Sequence, residues 1–241
     1  MIMTEAASLT LNDNSTHRTG YWLTEFTHPY EEFLENGFEI RIATPTGKRP
    51  TMDPIAEAKN PDGKLLFWAN EQDYESAIQI KNNVIDKSQI LDLRNMTAES
   101  LNKFSGVFFV GGHGVMEDLL TSPDVKKLLQ LSDAAGIPVA LVCHAPIVLA
   151  KIANLFPQGS SVTAFTDQEE AQAHIKKALL KTTPEMELTA AGFKFIDGGL
   201  WADHVVKLSS KRNTLFIAGQ NPTSAKTTAV QLCGAILQKL P

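Results

Sequence analysis

Cysteine is nearly missing from this chain: Cys143 and Cys233 are the only two in 241 residues. That scarcity excludes a disulfide framework, and without Cys-x-x-Cys spacing it also argues against a structural zinc site. The reducing cytoplasm is therefore the expected compartment. Long apolar runs are lacking as well, none approaching the roughly 18 residues that a membrane span needs. The N-terminus has no basic segment leading into an apolar core, so neither a secretory signal nor a membrane role is expected. Positive charge is sparse and scattered. Lysine and arginine total 22 against 27 acidic residues, a net charge of -5, and no cluster offers a footprint for nucleic acid.

A hydrophobic fraction of 43% can fill a generous core, and with no internal repeat or low-complexity segment the chain reads as one domain, residues 1–241. Short β-branched or apolar runs read as buried strands: Phe38–Thr44, Gly106–Val110, Ile137–Val142, Phe193–Ile196, Val205–Leu208 and Thr214–Gly219. Helical segments alternate with them. One runs through Thr27–Gly37 and stops at glycine. A second opens at Ser122-Pro123 and stops at Gly136, and a long closing helix opens at Asn221-Pro222 and reaches Leu240. This alternation predicts an α/β fold, a mainly parallel sheet with helices on both faces. Residues 45–101 are rich in Lys, Asp, Asn and Pro, with helices expected only near Asp73–Val84 and Ala98–Lys103. They read as an insertion at the sheet's edge or over its carboxyl end, where it forms a cap on the site.

Four segments carry candidate chemistry. In "IPVALVCHAPIVLAKIA" the strand ends at Val142 and a helix begins near Ala145-Pro146, so Cys143 falls on a sharp strand-to-helix turn. A helix start is expected to lower the thiol pKa, and the His144 N–H is one oxyanion donor. On residue type alone, Cys143 is equally a small buried hydrophobe, and Cys233 keeps that plain reading. "FFVGGHGVMEDL" runs a strand into Gly111-Gly112-His113-Gly114, either a tight turn or a backbone wall with Gly112 as second oxyanion donor. It lacks the residues of a P-loop. In "GYWLTEFTHPYEEF", Glu25 sits among aromatics, either as an exposed first-turn cap or as a protonated carboxyl able to donate to a sulfur. In "VTAFTDQEE", Asp167 and Glu170 read on their own as ordinary helix-entry acids.

Taken in order, "THRTGYWLTEFTHPYEEFLENGFEIRIATP", "FFVGGHGVMEDL", "VCHAPIVLA", "VTAFTDQEE" and "LFIAGQNPTSAKTTA" resemble the DJ-1/PfpI superfamily, class I glutamine amidotransferase-like in fold. More narrowly they resemble its heat-shock chaperone and glyoxalase III branch. The resemblance implies a flavodoxin-like three-layer sandwich with an inserted cap segment. It implies Cys143 as nucleophile, His144 as its partner and Glu170 as the acid of a triad. Glu25 takes the place of the acid that hydrogen-bonds the sulfur, and Gly111, Gly112 and His113 line the oxyanion and substrate wall. Two departures stand out. Ala145 occupies the place of the family's glycine, where its methyl is expected to narrow the approach to the thiol. Met1–Thr4 also match only the end of the family's first strand, so an upstream start is expected.

What the resemblance implies about function is a cofactor-independent, metal-free glyoxalase that converts methylglyoxal or a related 2-oxoaldehyde to a 2-hydroxy acid. A homodimer goes with it. The alternatives it leaves open are a holdase chaperone acting on unfolded clients, a protein deglycase, a PfpI-type cysteine peptidase or amidase, and a redox sensor. A glutaminase is disfavoured, because neither His174 nor His204 begins a His-x-Glu.

Overall fold

The computed structural model describes residues 1–66 and 70–239. Residues 67–69 of the expected insertion and Leu240 of the expected closing helix lie outside them. The chain begins with Met1–Met3, then forms an antiparallel hairpin, β1 (Ser8–Thr10) and β2 (Thr16–Arg18). This hairpin was not anticipated. Its turn uses the residues a tight turn favours: Asn14 has φ 64°, and Asp13 Oδ1 accepts the Ser15 N–H at 2.9 Å. Then come α1 (Leu23–Glu35), β3 (Ala43–Thr44), α2 (Glu71–Val84), β4 (Leu91–Asp92) and the short α3 (Ala98–Leu101). The next stretch holds β5 (Val107–Phe109), α4 (Pro123–Ala135), β6 (Val139–Val142), a 3-10 helix over Ala145–Leu155, and β7 (Ser161–Val162). The chain continues through α5 (Asp167–Glu170), α6 (Pro184–Ala190), β8 (Lys194–Phe195), β9 (Val205–Ser209), β10 (Leu215–Gly219) and α7 (Ala225–Leu237).

Strands β5, β6 and β10 are parallel neighbours, and β9 closes that edge antiparallel to β10. Parallel β3 and β4 join on the other side through the N-terminus. Ile2 bridges both Ala43 and Phe109, with Ile2 N–H to Phe108 O at 2.7 Å and Met3 N–H to Ala43 O at 3.0 Å. The period-two alternation of the strands splits the core in two. Val139, Leu141 and Phe216 pack with Leu128 and Leu129 of α4 and with Ile147 and Val148 of the following 3-10 helix. Ala140, Val142 and Ile217 pack with Phe26 and Phe33 of α1 and Ala229 and Leu232 of α7. The result is the expected three-layer α/β sandwich. Among the described residues no helix is long and apolar enough to cross a membrane.

The helix punctuation follows the sequence. Ser122 accepts the Val125 N–H, Pro123 occupies the first turn, and Gly136 ends α4 at φ 68°. Asn221 caps the entry to α7 by accepting the Thr223 N–H at 2.9 Å. The strands needed three corrections. Of Phe38–Thr44 only Ala43–Thr44 forms a strand, because β4 on one side is itself two residues long and the N-terminal segment on the other side bridges it at Ala43 through Ile2. Phe193–Ile196 lies outside the main sheet, as Lys194–Phe195 pair with β7 in a separate two-stranded sheet among the described residues. Val205–Leu208 forms the edge strand β9, partly exposed because no strand pairs with its outer side among the described residues.

Candidate active site

Strand β6 delivers Cys143 at its carboxyl end with φ 62°, a left-handed conformation that costs a non-glycine residue on the order of 1–3 kcal/mol. Two backbone hydrogen bonds hold it there. The Cys143 N–H donates to Gly219 O at 2.9 Å, and its carbonyl accepts the Phe165 N–H at 2.8 Å. The turn thus ties the end of β10 to the segment that carries Glu170. Cys143 Sγ lies 3.1 Å from His144 Nδ1. The other ring nitrogen, His144 Nε2, is 2.6 Å from Glu170 Oε1, and Glu170 Oε2 is 3.0 Å from His113 Nε2.

Glu170 is set by its own neighbours. Thr166 and Glu169 form a reciprocal capping box, Thr166 Oγ1 accepting the Glu169 N–H at 3.1 Å and Glu169 Oε2 accepting the Thr166 N–H at 2.9 Å. Glu169 Oε1 also accepts from the Trp201 N–H and from the side-chain amides of Gln220 and Asn221. Glu169 is thereby the anchor, and Glu170, one residue on, faces the imidazoles. Burial works against an ionised Glu170, but the two imidazoles outweigh it and hold its carboxyl well below the usual range. Burial, with His113 next, pulls His144 down to about 4. A neutral His144 beside an ionised Glu170 satisfies both directions. An ionised carboxylate only accepts, so His144 carries its proton on Nε2 and presents the bare Nδ1 to the thiol.

Glu25 is fully buried in the first turn of α1, not exposed as a cap. A Cβ on Gly111 would collide with Glu25 Oε2 and come within 2.8 Å of Cys143 Cβ, so glycine is what lets the acid reach the thiol. Burial raises the Glu25 carboxyl to about 8, opposed by the Cys143 thiol and the Gly111 N–H. Neither carboxyl oxygen has a partner at full hydrogen-bonding geometry, which also favours the neutral acid. The thiol corrects an expectation. Burial pushes Cys143 well above its ordinary range, against the helix-start effect anticipated from sequence. The residue is 3% exposed, and at that depth desolvation of the thiolate outweighs a helix terminus. The Gly112 N–H is the group that favours the thiolate.

Gly112 has φ 102°, and a Cβ there would collide with Gly20 O and lie 2.7 Å from Trp22 N. The loop is thus pressed against residues 20–22. His113, expected in the oxyanion wall, instead turns its ring to Glu170 and packs 4.1 Å from the His144 ring. Ala145 is buried in the core cluster with Phe109, Leu141 and Leu149, whereas Cys143 belongs to the cluster on the other sheet face. Its methyl therefore packs away from the thiol, contrary to the expected narrowing. Asp167 accepts from Thr183 Oγ1 at 2.6 Å and pairs with Lys177, so it serves the α5 to α6 connection. Cys233 is buried on α7, its thiol raised to about 11 by burial.

Several neighbours were not singled out from sequence. Phe165 stacks on His144 at 4.6 Å and 28°. Asp53 and His174 stand 3.7 Å apart, and His174 packs 5.0 Å from the His113 ring. Burial, then His113, lower His174 to about 3. The Thr166-x-x-Glu169 capping pattern was readable in advance, whereas nothing local marks Asp53. Residues 51–53 reach the site beside residues 20–22, since the Tyr21 N–H donates to Thr51 O at 2.8 Å and the Asp53 N–H to Tyr21 O at 3.0 Å. Among the described residues two sets have ligand atoms close enough for a metal: His113, His144 and Glu170, and Asp53, His113 and His174.

Similarity to known proteins extends over most of the chain. A family described as ThiJ/PfpI family-like matches residues 17–150. The glutathione-independent glyoxalase HSP31 of Saccharomyces cerevisiae is 28% identical over 228 residues, covering 91% of this chain and 90% of its own. The glutathione-independent glyoxalase hsp3101 of Schizosaccharomyces pombe is 27% identical over 222 residues, covering 88% and 85%. Among solved structures, glyoxalase III from Candida albicans matches with a TM-score of 0.73 at 25% identity, covering 97% of this chain and 95% of that one.

Proposed function

The chain belongs to the ThiJ/PfpI-like family, and from that premise we propose that it is a glutathione-independent glyoxalase, converting methylglyoxal or a related 2-oxoaldehyde to the 2-hydroxy acid. The observation that carries the reading is the unbroken line Cys143 Sγ, His144 Nδ1, His144 Nε2, Glu170 Oε1, with steps of 3.1 and 2.6 Å.

The chemistry needs only this chain's groups and one water. Cys143 adds to the aldehyde carbon, and its proton passes to His144 Nδ1 and then to the former aldehyde oxygen, giving a hemithioacetal. A base removes the hydrogen from that carbon while the neighbouring ketone oxygen gains a proton, forming an enediol. Protonation of the ketone-derived carbon, with the hydroxyl proton on the sulfur-bearing carbon passing back to the base, leaves a thioester of the 2-hydroxy acid, which water hydrolyses to free the thiol. Sulfur is regenerated and no electrons leave the system, because oxidation of the aldehyde carbon balances reduction of the ketone carbon. His144 is the base, with Glu170 holding its tautomer. Neutral Glu25 is placed to donate to the sulfur and to shuttle a proton. The N–H groups of Gly112 and His144 stabilise the oxyanion.

Burial of the thiol favours a small dicarbonyl over a polypeptide, which weighs against the peptidase and deglycase alternatives. The insertion, entering through Thr51–Asp53, acts as the cover of the site. Both cysteines are free and buried, which suits a reducing compartment. The test is lactate formation from methylglyoxal without glutathione. Wild type should be active and Cys143→Ala reduced by on the order of 10³-fold or more, and full activity in that variant would end the proposal.

A further inference from the structure

Beyond the thiol, a second cluster lies against the same histidines. Asp53, His113 and His174 come from the insertion, the Gly111-Gly112 loop and the segment after α5, and place ligand atoms within 4.8 Å of one another. Asp53 is buried, with Oδ1 accepting the Ile55 N–H at 3.0 Å and Oδ2 accepting from Thr19 Oγ1 at 3.1 Å. These bonds fix the carboxylate and leave Oδ2 with capacity to spare. His174 Nε2 is buried without a hydrogen-bond partner and faces Asp53 Oδ2 at 3.7 Å. That is too long for a hydrogen bond, yet close to the ~3.4 Å that separates two ligands on a tetrahedral zinc ion with bonds near 2.1 Å. His113 completes the set. Its Nε2 is engaged by Glu170 at 3.0 Å, so its other ring nitrogen is the one left for a ligand role. A carboxylate behind a histidine that binds metal through its second nitrogen is the usual way such ligands are oriented.

The geometry points to a divalent transition-metal site made by Asp53, His113 and His174, of the two-imidazole, one-carboxylate class that takes Zn²⁺, lying beside the thiol and not on it. One carboxylate and two neutral imidazoles suit a borderline-soft cation. Loading also touches the site already described. A metal-bound His113 is a stronger donor to Glu170, which leaves that carboxylate a weaker partner for His144. The site is therefore a point at which metal availability tunes the histidine next to the thiol, independent of whether the substrate is a 2-oxoaldehyde.

The probe is the metal alone. Zn²⁺ is titrated calorimetrically into Cys143→Ala protein, which removes the thiol as a competing ligand, and into the same protein carrying His174→Gln or Asp53→Asn. One equivalent should bind, and each added substitution should weaken affinity at least tenfold. Equal affinity in the His174→Gln protein, or no binding at micromolar protein, would overturn the proposal. A measurement without substitutions guards against misfolding, namely X-ray absorption of Zn²⁺ on wild-type protein. A shell of nitrogen and oxygen only, at about 2.0–2.1 Å, agrees with the assignment, whereas a sulfur at about 2.3 Å puts the metal on Cys143 and refutes it.

Discussion

Glu170 Oε1 sits 2.6 Å from His144 Nε2, and the same carboxylate holds His113 through its other oxygen at 3.0 Å. One buried acid thereby sets the tautomer of two imidazoles, and the proton is kept off the face of His144 that meets the thiol. Replacing it with glutamine leaves a single acceptor oxygen and adds an NH₂ that one ring nitrogen must then oppose. In Glu170→Gln, kcat for lactate formation should fall by about 10²–10⁴-fold, with KM changed far less. Unchanged kcat would show that Glu170 does not orient His144.

Glu25 should leave a mark on stability against pH. Its carboxyl titrates near 8 in the fold and near 4.5 when unfolded, so between those values the folded state holds the extra proton. Stability from this group is therefore full below pH 4.5 and is lost as pH rises to 8, at up to about 1.4 kcal/mol per unit. His144 acts the other way lower down. With a folded value of about 4 against 6.5, its contribution is lost as pH falls from 6.5 toward 4. Glu25→Gln keeps the shape of the neutral acid and removes only the first effect. Denaturation midpoints from pH 5 to 8.5 should decline more steeply for wild type than for the variant. Parallel curves would mean that Glu25 is ionised in the fold.

Gly112 is predicted to tolerate no side chain. At φ 102° with Gly20 O in the path of a Cβ, Gly112→Ala should lose at least about 2 kcal/mol, or roughly 4–8 °C in Tm. Activity should fall with it, because the loop also carries the N–H that faces the sulfur. A melting temperature equal to wild type would contradict the assigned loop geometry.

Ala145→Gly tests which way the methyl points. Packed in the cluster of Leu141 and Leu149, it should matter to folding and not to substrate entry. The variant should be less stable by about 1 kcal/mol and turn over methylglyoxal within twofold of wild type. A widened substrate range would show that the methyl does face the thiol.

Much of this was legible locally. Val139–Val142 had to be a buried strand because its apolar run is short and bounded by Pro138 and the turn, and Ser122, Gly136 and Asn221 marked helix ends by capping chemistry. The position of Cys143 at a strand-to-helix junction followed from the same local signals, whereas the Thr166 and Glu169 cap that orients Glu170 was read from the structure. Phe38–Thr44 misled because strand propensity is realised only where a neighbouring strand is long enough to pair with it.

What the sequence by itself determined is therefore the α/β alternation, the two-faced core and the strand-to-helix position of Cys143, all set by periodicity and capping over short stretches. Tertiary structure decided the rest. Burial raised the thiol against the pull of the helix start, turned Glu25 into a neutral acid, and sent the Ala145 methyl into the core. It also brought His113, His174 and Asp53 together from segments about 60 residues apart along the chain. Desolvation and long-range proximity depend on what surrounds a residue in space, and no local pattern records that.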